Sequence, residues 1–196
     1  MTRATSVGLI GALVLLGSVL SACEPRTDAT EPAQSSIPAA SVGTDNEIAL
    51  AALRQVTARL HTLDAAKQAG YDAQITPCWA HHSAGAMGYH YGKLALLDAN
   101  VDLLEPEVVM YEPQAGGNMR LVGMEYIVPL AAWQAAGHDL NNANDVPELL
   151  GHRYTRHSFL PIFKLHIWLW RDNPTGVFAD WNPKVSCANA DSTEVF

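Results

Sequence analysis

Three ionisable side chains sit singly in apolar runs: His90 in Met87-Gly88-Tyr89-His90-Tyr91, Glu125 in Leu121–Pro129, and His166 in Leu165-His166-Ile167-Trp168. A buried carboxylate must pair, bind a metal or take up a proton. A neutral imidazole is a common metal ligand. Two His and one carboxylate with open coordination positions recur in zinc hydrolases and non-haem iron proteins. If the three converge, they form a site for zinc, iron or copper. Glu112, in Met110-Tyr111-Glu112-Pro113, would be a fourth ligand or would orient one. Each residue also has a plainer reading. His90 and His166 would be core histidines bonded to backbone or to a single polar neighbour. Glu125 would pair with Arg120 or Arg171, or lie exposed at an edge. The spacing is not a local signature such as H-E-x-x-H, so convergence depends on the strands being neighbours with matching faces.

Aromatic residues accompany these groups. Tyr91, Trp168 and Trp170 are candidate walls of a ligand pocket, since alternation sets His166, Trp168 and Trp170 on one strand face. All eight histidines lie between His61 and His166. Cys78-x-x-His81-His82 has soft ligands but lacks a second nearby cysteine. His138, His152 and His157 lie in an insertion and read as solvated. His152 and His157 with Arg153 and Arg156 would alternatively line an entrance for an anion. The chain has no G-x-S-x-G elbow, Gly-rich phosphate loop or C-x-x-C pair.

The elements that must position these residues are few. Thr44-x-x-Glu47 is a capping-box pattern, and Leu53, Val56, Leu60 and Leu63 follow at helical spacing up to Gly70. His61-Thr62 marks a kink or a break into two helices. Residues 71–86, with Pro77, Gly85 and two adjacent histidines, read as a loop. Strands are expected at Gly88–Leu94, Val108–Glu112, Leu121–Pro129 and Phe163–Trp170, with Gly116-Gly117 as a hairpin turn. Residues 130–160 form a long insertion with short helices at Ala131–Ala136 and Val146–Leu150, placed to act as a lid. Helix first, then strands joined by turns, predicts an α+β domain: a helix or helix pair on a mainly antiparallel sheet of about four or more strands.

The N-terminus reads as a targeting segment. Arg3 precedes an apolar run, Val7–Val19, too short for an ordinary transmembrane helix. Leu20-Ser21-Ala22-Cys23 resembles a bacterial lipobox, which implies cleavage before Cys23 and its lipidation; the alternative is a plain secretory signal. The organisation expected is a signal at 1–22, a Pro/Ala/Ser/Thr-rich tether at 23–43, one domain at 44–187 and a flexible tail at 188–196. Removing residues 1–22 removes one of the 12 Lys+Arg and none of the 20 Asp+Glu, so the remainder is strongly acidic. That argues against nucleic acid as a partner and against an electrostatic hold on anionic lipid; a membrane partner would be held by the N-terminal lipid, in the bacterial cell envelope. With Cys23 lipidated, Cys78 and Cys187 remain, and two cysteines in an exported protein most often pair. Buried free thiols, or a Cys in a metal site, are the other readings.

The strings Ala86-Met87-Gly88-x-His90-Tyr91, Tyr111-Glu112-Pro113, Leu121-Val122-Gly123-x-Glu125-Tyr126, Leu165-His166-x-Trp168-Leu169-Trp170 and Trp181-Asn182-Pro183-x-Val185-Ser186-Cys187 resemble a family of uncharacterised exported bacterial proteins. The likeness spans most of Arg54 to Cys187 and departs at 79–84 and 130–160. It supplies no activity. Three functions stand at this point: a lipid-anchored metal or small-ligand binder, a metal-dependent envelope enzyme with Glu112 or Glu125 as base, and a structural or interaction lipoprotein in which the polar residues only serve the core.

Overall fold

A computed structural model describes residues 39–196. The signal segment, Cys23 and the tether as far as residue 38 lie outside the described residues. Helix α1 runs over Ala39–Thr57, so Thr44 and Glu47 lie inside it and do not cap it. The predicted break is present: a 3-10 turn at Ala58–Leu60 leads to α2 (Leu63–Gln68). Thr62 caps α2 by accepting a hydrogen bond from the Ala65 N–H (3.2 Å). No helix among the described residues is long and apolar enough to cross a membrane.

The four expected strands are β3 (Gly85–Gly92), β4 (Val108–Pro113), β5 (Met119–Pro129) and β9 (Ile162–Ile167). Together they form the antiparallel centre of an eight-stranded sheet. Gly116-Gly117 turns β4 into β5 as read from sequence. Residues 71–86 are not merely a loop: β1 (Ala73–Gln74) and β2 (Cys78–His81) both line the outer edge of β3. In the insertion, α3 (Leu130–Ala135) matches the expected helix. Val146–Leu150 does not, because it enters a hairpin between β6 (Glu148–Leu149) and β7 (His152–Arg153). The turn at Leu150-Gly151 takes positive φ at both residues, which a helix cannot accommodate. β8 (Thr155–Arg156) then pairs with β9. The tail is also not free: β10 (Thr193–Val195) adds in parallel to β2.

Alternation divides the sheet between two cores. Val109, Tyr111, Leu121, Met124, Leu165 and Ile167 face the helices and pack with Leu53, Leu60 and Ala66. The opposite face carries Met110, Val122 and Trp168, covered by Val185 and Ala86. A bulge between Met110 and Tyr111 shifts the β4–β5 register by one residue. Gly123 lies opposite Met110. A Cβ there would stand 2.7 Å from the Met110 methyl carbon and 2.8 Å from the Ile167 carbonyl oxygen, so the close approach of backbone and thioether needs glycine. Gly88 is a second close approach: at φ +91 its missing Cβ would lie 2.4 Å from the Tyr111 carbonyl oxygen. Gly88 therefore serves tight backbone packing beside His90, and Gly92, on its other side, admits the Ile75 side chain.

Cys78 and Cys187 form a disulfide spanning 109 positions, tying β2 to the segment that covers the second face. Such a bond persists in an oxidising compartment.

Glu107 enters β4 buried at 3 % exposure, and its carboxylate accepts a hydrogen bond from the Ile127 N–H (3.1 Å). Burial pushes its pKa up to about 8 from an ordinary 4.5. Between those values the folded chain holds a proton that the unfolded chain has released. Stability therefore falls as pH rises through that window. Glu107→Gln is expected to stabilise the protein by up to about 3 kcal/mol at pH 7 and to change little at pH 4. Denaturant unfolding at the two pH values checks this; equal gains at both would contradict it.

Candidate metal centre

β3, β4, β5 and β9 lie side by side, and their register brings the three predicted groups to the face away from the helices. Glu125 lies directly opposite His166 across the β5–β9 pair and opposite Val108 across β4–β5. His90 stands opposite Met110. With Met110 seated on Gly123, the His90 and Glu125 side chains meet over β4. His90 Nε2 is 3.8 Å from Glu125 Oε2, and His166 Nε2 is 3.4 Å from Glu125 Oε1. One ligand atom from each residue fits within a mutual separation of 4.8 Å. All three residues are buried, at 1 %, 4 % and 1 % exposure for His90, Glu125 and His166.

The far nitrogen of each ring is held. His90 Nδ1 is 2.8 Å from the Thr76 hydroxyl. Thr76 is fixed there because the neighbouring Ile75 N–H donates to the His90 carbonyl (2.8 Å). His166 Nδ1 is 3.3 Å from Asp180 Oδ1, and Lys164 Nζ bonds the same oxygen. The Asp180 carboxylate can only accept, so the His166 Nδ1–H donates to it, and Nε2 is the ring nitrogen turned toward Glu125. Neither Nε2 has a hydrogen-bond partner. An unsatisfied buried polar atom costs about 1–3 kcal/mol, and here two such atoms flank one carboxylate.

The charges follow from burial. His90 is held well below the ordinary histidine range, first by burial and then by the neighbouring His166 and Lys164, so its ring is neutral. Burial pushes the Glu125 carboxyl above the usual carboxylate range, against the opposing pull of His166 and Lys164. Asp180 is held below that range by its hydrogen bond with His166, reinforced by Lys164. Two imidazole nitrogens and one carboxylate are a zinc, iron or copper donor set. Ligands at about 2.0–2.1 Å from a tetrahedral ion lie about 3.4 Å apart, against 3.4 and 3.8 Å for the two His–Glu distances here.

The other predicted site residues are distributed elsewhere. Glu112 is not in the group, because its Oε1 accepts from the Ser186 N–H (3.0 Å) and so anchors the covering segment. Tyr91 is on the opposite face, edge-on to Tyr111 in the helix-side core, as alternation from His90 requires. Trp168 stays with the site: its ring stacks beside His166 at 6.2 Å and its Nε1–H donates to the Ala179 carbonyl (2.6 Å). Trp170 does not, because β9 ends at Ile167 and alternation ends with it. The backbone N–H groups of Trp170 and Arg171 both donate to the Val122 carbonyl, and the Trp170 indole packs against His61. Cys78 is in the disulfide, which removes the Cys78-His81-His82 cluster as a ligand set. His138 stacks on Trp133 and His152 on Phe178, so neither is freely solvated. Of the suggested anion entrance, Arg156 and His157 line a cavity, whereas Arg153 bonds Asn144 and the Ala143 carbonyl.

Sequence reasoning missed Thr76, Lys164, Asp180 and Trp79, whose ring lies 5.4 Å from that of His90. Lys164 did leave a signal, as a lone cation two residues before His166 in the same strand. Nothing in comparisons with family models, curated proteins and solved structures matches this chain.

Proposed function

We propose that this is a lipid-anchored protein of the bacterial cell envelope that binds a divalent transition metal (zinc, iron or copper) through His90, Glu125 and His166. The observation that carries the metal assignment is the pair of buried, partnerless Nε2 atoms facing the two oxygens of Glu125. The lipid anchor rests on the sequence around Cys23, and export is consistent with the disulfide. The core-only reading requires the three residues to lie apart, each satisfied by its own neighbour, and they do not lie apart.

Binding fits this geometry better than catalysis. A substrate must reach the ion, and all three donors are buried. Glu112, one proposed base, is committed to Ser186. Protein purified without a chelating tag is expected to carry or take up one ion per chain, with a melting temperature that rises with free zinc. A folded, metal-free protein that takes up no added zinc, copper or iron would sink the proposal. Asp180→Asn is expected to weaken zinc binding about 10–100-fold, because the imidazole loses its orienting carboxylate. Chelator competition checks this, and an unchanged affinity would remove Asp180 from the role.

A further inference from the structure

Beside the metal centre, and separated from it by Trp79, lies a cavity of about 360 Å³. That is within the usual range for small-molecule sites, roughly 300–1,000 Å³. Its walls are aromatic. Phe159 is 56 % exposed there and meets Trp79 edge-on at 5.9 Å. The Phe196 ring stacks on Phe159 at 5.7 Å and meets Trp79 and Trp181 at 5.2 and 5.9 Å, and forms a further aromatic wall of the cavity.

The polar lining has a surplus of donors. Asp180 is matched by Lys164 and further engaged by His166. The Arg156 guanidinium has no hydrogen bond or ion pair among the described residues. His157 accepts the Leu160 N–H on Nδ1 (3.1 Å), so its neutral ring carries the proton on Nε2 as a further donor. Glu194 is the nearby carboxylate, but it accepts from the Trp79 indole and is not part of the lining. Aromatic walls with an unmatched guanidinium call for a flat apolar body carrying an anionic group.

We propose that this cavity binds a small aromatic carboxylate, with its ring in the free space against Trp79, Phe159 and Phe196 and its carboxylate on Arg156. The site goes beyond the metal reading and does not depend on it, since no metal donor lines the cavity.

Titration with phenylacetate, followed by the indole N–H resonances in nuclear magnetic resonance spectra, tests this on metal-loaded and chelator-treated protein. Saturable shifts of the Trp79 and Trp181 signals are expected in both. Arg156→Gln, at an exposed position that leaves the fold intact, should weaken phenylacetate about tenfold or more, the scale of a lost charge-assisted hydrogen bond. Phenylacetamide (same shape, no charge) and cyclohexylacetate (same charge, no aromatic ring) should both bind more weakly. Absence of saturable shifts, or equal affinity of Arg156→Gln for phenylacetate, would overturn the proposal. A peptide ending in Phe that binds more tightly than phenylacetate would overturn the assignment to a small molecule. Failure of the metal reading shows separately, as absent zinc uptake with phenylacetate binding intact.

Discussion

His90→Ala and His166→Ala are each expected to weaken zinc binding by more than about 100-fold, the upper end of what loss of an outer partner alone costs. Each removes one of the three proposed donors. Neither can be replaced from nearby, because Glu112 is committed to Ser186 and Cys78 to Cys187. Metal content after dialysis and chelator competition would measure the loss. Alanine at these buried sites also leaves a void, so a further variant separates ligation from packing. Glu125→Gln keeps the shape and removes the charge. Burial raises the Glu125 pKa, so the ion-free folded state is penalised as pH rises above the ordinary carboxylate range. Glu125→Gln should therefore be as stable as the wild type or more so without metal at neutral pH, yet lose zinc binding. Wild-type zinc affinity should rise with pH, because the ion displaces a proton from Glu125. Unchanged zinc affinity in all three variants would remove the site.

Loss of the disulfide is the second large effect. Replacing Cys78 and Cys187 together with alanine is expected to destabilise the domain by about 4–5 kcal/mol, since the bond closes a loop of 109 positions. The bond joins β2, preceded by Thr76, to the chain that follows Asp180 and Asn182. Asn182 pairs with Ala86 on β3. Both imidazole partners, Thr76 and Asp180, are thus carried by segments the bond ties together. The double variant should also bind zinc more weakly, even under conditions where it remains folded. Denaturant unfolding and zinc competition read the two effects independently. Full stability in the double variant would show that the covering segment holds itself in place.

How far the site was legible follows from what period-2 patterning contains. A lone ionisable residue in an apolar strand is visible in sequence, and alternation assigns its face. That is why His90, Glu125, His166 and Trp168 could be named from sequence. Tyr91 failed the same rule by one position. Trp170 failed because the strand ends at Ile167, where a shared carbonyl at Val122 replaces the ladder. Edge strands β1, β2 and β10 were not legible. They are two to four residues long, too short for periodicity, and exist by pairing with β3 or β2. Thr76 and Asp180 come from segments without periodicity, so no pattern marked them.

By itself the sequence determined the central strands, the helix pair, the polar residues buried among apolar ones and the cysteines available to pair. Each is written in local composition and spacing. Only the tertiary structure decided that the three groups meet. Convergence depends on the order β3-β4-β5-β9, on a one-residue bulge in β4–β5, and on Gly123 admitting Met110 so that His90 and Glu125 can close over β4. These are relations between distant segments, set by how strands pack and pair. The same is true of the carboxylate that orients His166, which reaches it from a loop 14 positions away.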